Sequence, residues 1–253
     1  MARTIRRPDL SEETLLWESR GSVFVFGVDE AGRGCLAGPV CAAVASWNPC
    51  LEPPLEVRDS KKMSEAQREA CFDPIREKAF CFGVGFSSRE EIDRFNILRA
   101  NHLAVARALE MALSRMQGIK KESLFAFLSD GNRPLLGGAR MFLNSPEYAR
   151  ELPLVKELFE KGFEEKCVVK GDSKVFSIAS ASILAKVSRD RHMAELHRRF
   201  PAYDFLSHKG YSTPRHVELL RHHGPCEEHR RSFSPVSEAR SEEHTSELQS
   251  LRH

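Results

Sequence analysis

The chain has 253 residues, 41% of them hydrophobic and 29% charged, with a formal net charge of +2. That suits one globular domain with a full core, and no apolar run approaches the roughly 20 residues of a membrane-spanning helix. A balance so near neutral announces no general nucleic-acid binder, so any basic surface is local. Seven cysteines without a C-x-x-C pair argue against structural zinc and a disulfide scaffold, and fit reduced thiols in a cytoplasm. Ten histidines show no H-E-x-x-H spacing and read as surface or supporting groups. Residues 1–20 are a polar lead-in with a short helix expected near 11–19. They carry no apolar signal core, so export is not expected.

Residues 23–44 organise the chain. Val23 to Phe26 is apolar and uncharged, which reads as a strand buried on both faces or, by pattern alone, a short buried helix. Asp29 and Glu30 follow, then Gly32-Arg33-Gly34, then a second apolar run from Val40. The plain reading of the two acids is a solvated hairpin turn between a strand and its return. Adjacent carboxylates against an apolar strand call for a cation, however, and glycines leave amides open to close approach. Acids for a divalent metal beside amides for a phosphate or sugar describe a phosphodiester site. The stretch GVDEAGRGCLAGPV closely resembles the first signature of the ribonuclease HII family, the type 2 ribonucleases H.

Further along, Asp59-Ser60-Lys61-Lys62 precedes a charged amphipathic segment near 64–78, with Ser64 as its cap. Lys62 reads as a solvated helix start. Lys61 has the same plain reading, but the family carries a similar D-S-K element near its substrate. Residues 80–88 read as a strand, and 90–116 as two helices or one broken near Asn96. Leu124 to Leu128 is a strand ending in Asp130-Gly131, an ordinary turn taken alone and a partner for Asp29 as the second strand end to deliver an acid. Residues 135–166 depart from the family pattern and read as an insertion carrying a surface helix.

The stretch CVVKGDSKVFSIASASILAKVSRDRH resembles the family's K-G-D and I-A-A-A-S-I runs, placing Asp172 at its fourth acidic position. A helix over 178–196, rich in Ala and Ser, is suited to lie close on a sheet. Lys186 is left open there, and ion pairing along the helix is the plain reading of Arg189, Asp190 and Arg191. HKGYSTPRH resembles a family motif whose tyrosine packs on the deoxyribose after a ribonucleotide, which points to Tyr211 over its plain reading as a loop aromatic. Residues 240–250, RSEEHTSELQS, are the translation of a common sequencing-library adapter. Residues 240–253 are therefore read as a disordered assembly scar, with the natural C-terminus missing.

The resemblance implies an α/β fold: a ribonuclease H-like mixed sheet flanked by helices, a catalytic domain over 21–237, and a helical C-terminal part over about 200–237. It implies a cytoplasmic, monomeric endoribonuclease acting on RNA–DNA hybrids and on duplex DNA with embedded ribonucleotides. Asp29, Glu30, Asp130 and Asp172 would hold Mg2+ or Mn2+, and Gly32, Arg33, Gly34, Lys61 and Tyr211 would bind substrate. Ribonuclease HIII is the alternative within the class, disfavoured because its fourth acid is typically glutamate and a sizeable domain precedes its first strand. A non-catalytic hybrid-binding module is the alternative outside it.

Overall fold

A computed structural model describes residues 7–20, 23–48, 57–116 and 123–239. The expectation for 240–253 lies outside these residues. Strands β1 (Val23–Ala31), β2 (Val40–Ser46), β3 (Cys81–Ser87), β4 (Leu124–Asp130) and β5 (Glu164–Val168) form one mixed sheet in the order β3-β2-β1-β4-β5. β2 is antiparallel to both β1 and β3, whereas β4 and β5 run parallel to β1. Among the described residues the helices are α1 (Ser11–Arg20), α2 (Glu65–Lys78), α3 (Arg89–Phe95), α4 (Ile97–Arg115), α5 (Arg140–Leu143), α6 (Pro146–Glu151), α7 (Pro153–Lys161), α8 (Phe176–Arg199), α9 (Phe205–His208) and α10 (Pro214–His223). No described helix is long and apolar enough to cross a membrane.

The apolar runs become central strands because both sheet faces are covered. Phe26 and Val28 pack with Leu103, Ala104 and Leu109 of α4 on one side. Cys41, Ala43 and Ala45 pack with Phe176, Ala179 and Ile183 of α8 on the other. Within the sheet the Phe26 and Phe127 rings stack with centroids 5.6 Å apart, filling the space between β1 and β4. Gly27 sets how near α8 comes: a Cβ there would lie 2.1 Å from the carbonyl carbon of Ser177. The start of α8 is held by Glu13 of α1, whose buried carboxylate accepts the Ser177 N–H at 2.8 Å. The lead-in thus contributes an anion to a helix N-terminus.

Local signals place the helix boundaries. Ser64 and Gln67 form a reciprocal capping box at the start of α2. The break between α3 and α4 falls at Asn96, whose φ is 70° and whose side chain caps the Arg99 N–H.

The 135–166 segment differs from a surface helix. It folds as α5, α6 and α7 and then supplies most of β5. Tyr148, Leu152, Val155, Leu158 and Phe159 are buried in the same cluster as Phe26 and Leu109. Glu110 of α4 accepts the Leu154 and Val155 N–H groups, satisfying free donors of the first turn of α7. The helical spacing that suggested an appendage is the spacing of a core-facing helix.

Candidate active site

The parallel strands β1, β4 and β5 deliver their C-terminal ends to one edge of the sheet. Their register brings Val28 opposite Ser129, so Asp29 and Asp130 follow side by side. β1 does not stop before its acids. It continues through Asp29, Glu30 and Ala31, paired with Ala43, Ala42 and Cys41 of β2. The expected acid-bearing turn is therefore the end of a strand, and strand alternation turns Asp29 toward α8 and Glu30 the other way. After β5, Lys170 adopts a left-handed φ of 56°. The reversal lets Gly171 N–H donate to Asp130 Oδ1 at 2.7 Å and brings in Asp172, which is buried.

Asp29 is buried beneath this edge. Burial pushes its carboxyl well above the usual range, and the negative charges of Glu30 and Asp130 push it further. The Ser182 hydroxyl of α8 and the Glu30 N–H, the latter at 2.8 Å, oppose the shift. Ser182 Oγ also lies 2.8 Å from Ser60 Oγ. The next residue, Lys61, reaches Asp172 with Nζ 2.9 Å from Oδ2. Burial works against the Lys61 charge, but Asp172, then Asp29 and Asp130, outweigh it and hold the ammonium above the ordinary lysine range. The Ser60-Lys61 pair thus connects to two of the acids, whereas Lys62 only pairs with Asp59 at 2.9 Å in solvent. Ser60 and Ser182 are not among the sequence candidates: Ser60 sits in a polar turn before α2, and Ser182, on an alanine-rich helix face, reads as packing. Among the described residues no group of three or more His, Cys, Asp or Glu is drawn together to hold a metal ion.

The Gly32–Pro39 loop leaves β1 between two later segments of the chain. Leu36 N–H donates to the Gly210 carbonyl on one side, and on the other Arg230 N–H donates to Leu36 and Gly38 N–H to Glu228. Two fully buried arginines fill the space beneath it. Arg230 donates to the carbonyl oxygens of Gly38 (2.9 Å), Arg33 (2.9 Å), Gly32 (2.7 Å) and Pro39 (3.1 Å). Arg189 donates to Pro39 (3.0 Å), Lys209 (2.9 Å) and Ala37 (3.2 Å). Burial draws Arg230 down to about 9, so it stays charged at neutral pH. Gly32 meets two demands here, a φ of 89° and a Cα so close that a Cβ would lie 1.9 Å from Arg189 Nε. Gly34 meets neither: a Cβ there would have nothing within 4 Å. Arg33 extends outward, with a guanidinium nitrogen 3.0 Å from Glu30 Oε1.

Tyr211 forms a bridge with Cys35 of this loop and stays 38% exposed. Its ring centroid is 5.5 Å from Lys186 Nζ and 5.7 Å from the Arg189 guanidinium carbon. A cleft of about 500 Å³ is lined by Asp29, Glu30, Arg33, Lys61, Ser182 and Tyr211, with Gly32 and Gly34 also on its wall. The geometry thus brings all the sequence candidates to one region, with Asp130 and Asp172 reached through Asp29 and Lys61.

Ion pairing along α8 holds for only part of its charged run. Asp190 pairs with Lys186 at 2.7 Å, but Arg191 crosses to Glu69 of α2 and Arg189 turns inward to carbonyls. The helix face, not the spacing, decides these partners. The histidines also depart from a surface role: His216 and His229 are fully buried and joined Nε2 to Nε2 at 3.1 Å. His208 stacks on His216 with centroids 4.1 Å apart.

Comparison with known proteins agrees with this architecture. A family model described as ribonuclease HII matches residues 26–134 and 146–236. The ribonuclease HII of Burkholderia pseudomallei is 43% identical over 230 residues, covering 90% of this chain and 91% of that one. That of a Polaromonas species is 43% identical over 229 residues, covering 90% and 98%. Among solved structures, ribonuclease H2 from Pyrococcus horikoshii superposes with a TM-score of 0.59 at 26% identity, covering 86% of this chain and 97% of that one. With the mixed sheet, the signature loop and these matches in agreement, the chain belongs to the ribonuclease HII family and is a ribonuclease H, a hydrolase of phosphodiester bonds.

Proposed function

We propose that this enzyme hydrolyses the RNA strand of RNA–DNA hybrids and nicks on the 5′ side of single ribonucleotides in duplex DNA, leaving 3′-hydroxyl and 5′-phosphate ends. The observation that carries the reading is one cleft in which the buried Asp29 and the half-buried Glu30 face a loop with two exposed residues, Arg33 and Gly34. Asp29, Glu30, Asp130 and Asp172 would hold Mg2+ or Mn2+. Their chemistry suits it: all four are oxygen donors, Asp29 is under pressure from two neighbouring carboxylates, and Asp172 already draws in an ammonium. When bound, such ions activate water and stabilise the leaving oxygen.

The remaining work falls to the chain itself. A ribonuclease of this kind must sense the 2′-hydroxyl, the local mark of RNA. The open space at Gly34 lets a sugar approach the backbone without side-chain obstruction. Lys61 would meet a backbone phosphate, and Tyr211 would pack on the deoxyribose that follows the ribonucleotide. Action as a cytoplasmic monomer belongs to the same proposal.

The test is cleavage of a DNA duplex containing one ribonucleotide, with Mg2+ and with EDTA, by the wild type and Asp29→Asn. A Mg2+-dependent nick 5′ of the ribonucleotide, lost in the variant, is expected. A folded wild type that binds the duplex and leaves it intact overturns the reading in favour of a binding module.

A further inference from the structure

Arg230 lies far along the chain from the acids, in a segment whose resemblance assigns it no role, yet it is one of the largest fully buried side chains. A buried guanidinium is costly to keep unless its donors are matched. Here it has no carboxylate partner among the described residues, and the match is made by four carbonyl oxygens, all from residues 32–39. Two of those carbonyls belong to Gly32 and Arg33. In a trans peptide the C=O and the following N–H point in opposite directions. Drawing the Gly32 and Arg33 carbonyls inward therefore turns the Arg33 and Gly34 N–H groups outward. Both residues are exposed and line the cleft, and neither N–H donates to any acceptor among the described residues.

We propose that Arg230 is a positioning residue that orients the Gly32-Arg33-Gly34 backbone, so that the Arg33 and Gly34 amides face the ribose and its phosphate. The proposal rests on the reading of the cleft as a ribonucleotide-recognition site. Without the guanidinium the two peptide planes lose their common anchor, and the Gly32 carbonyl keeps only the long contact from the Cys35 N–H at 3.4 Å. Two preorganised donors then become donors that must be ordered on binding. Arg189 supports the far end of the loop at Ala37 and Pro39 and does not touch the Gly32 or Arg33 carbonyls.

The segment carrying Arg230 is tied down from outside by Asp93 of α3, which accepts the Arg231 N–H (3.0 Å), the Ser232 N–H (2.9 Å) and the Ser232 hydroxyl (2.6 Å). This offers a second way to disturb the anchor while leaving the guanidinium in place. The experiment measures binding in EDTA, by fluorescence anisotropy, of a duplex with one ribonucleotide and of the all-deoxy duplex. Mg2+-dependent kcat and KM on the first duplex are measured alongside. The proteins are the wild type, Arg230→Lys and Asp93→Ala, each checked for folding by circular dichroism.

Arg230→Lys keeps a charge but cannot span the carbonyls, so the ribose preference should fall about tenfold, with KM raised and kcat much less changed. Asp93→Ala should move both quantities in the same direction by a smaller factor, and it stands in if Arg230→Lys does not fold. A folded variant that keeps the wild-type ribose preference and KM and loses activity through kcat alone overturns the proposal, because that is the mark of a purely structural arginine. A wild type with no ribose preference instead overturns the underlying reading of the cleft.

Discussion

The ammonium of Lys61 lies 2.9 Å from Oδ2 of Asp172, joining the loop before α2 to the turn after β5 across the acid cluster. Lys61 thus gives Asp172 a cation, from a side chain that is itself 74% exposed. Solvent screening keeps the contribution small, about 0.5–1 kcal/mol. Lys61→Met should lower the melting temperature in EDTA, and added Mg2+ should raise it more in the variant than in the wild type, because Asp172 then lacks its internal counter-ion. An equal Mg2+ response in both proteins would show that Lys61 and the metal do not serve the same carboxylate.

Asp29 combines burial with repulsion from Glu30 and Asp130, so its charge opposes folding when no cation is present. Asp29→Asn removes that charge. In EDTA at pH 7.5 the variant should be more stable than the wild type, while cleavage is lost. Urea unfolding of the two proteins decides it, and a variant less stable than the wild type would sink the electrostatic account.

Two glycines of one loop should respond in opposite ways to the same substitution. Gly32→Ala places a Cβ against Arg189 Nε at a φ of 89° and should cost 2 kcal/mol or more, on the order expected for a strained backbone with a core clash. Gly34→Ala meets nothing in the protein, so its stability should stay within about 0.5 kcal/mol of the wild type. Cleavage should nevertheless fall because a methyl group now occupies the path of the sugar. Full activity in Gly34→Ala would remove that residue from the substrate surface.

His216 and His229 predict the acid limb of stability. His216 Nδ1 lies 2.9 Å from the Tyr211 carbonyl and must carry a proton there. Its Nε2 therefore accepts from His229 Nε2, and His229 Nδ1 accepts the Cys226 N–H at 3.1 Å. Both rings are neutral in this network. Burial holds His216 at about 4 and His229 at about 3, in each case chiefly by desolvation. With folded values below the unfolded value of about 6.5, the unfolded chain takes up protons that the native state refuses. Stability is then complete above pH 6.5 and declines below it, toward pH 4 and 3. The slope contribution reaches about 1.4 kcal/mol per pH unit for each ring. Urea midpoints measured from pH 7 to pH 5 should fall, and a flat profile contradicts the neutral pairing.

The sequence by itself determined the acid-bearing strands and the family. Apolar runs long enough for strands, each ending in an acid, mark β1 and β4 because a buried strand has few other ways to be written. The glycine signature and the K-G-D turn then identify the family. Capping at Ser64 and the helix break near Asn96 were legible too, since both depend on neighbours within a few residues. What only the tertiary structure decided depends on partners distant in the chain. The strand extends through Asp29 and Glu30 because Ala42 and Ala43 of β2 pair with them. The segment after residue 135 enters the core because α4 offers an apolar face and a capping carboxylate at Glu110. Arg189 reads as an ion-pairing residue of its helix and nothing local marks Arg230, yet folding closes the Gly32–Pro39 loop over both, where backbone carbonyls replace the water they lose. Local chemistry can be read from neighbouring residues, but a buried charge is explained only by what surrounds it in three dimensions.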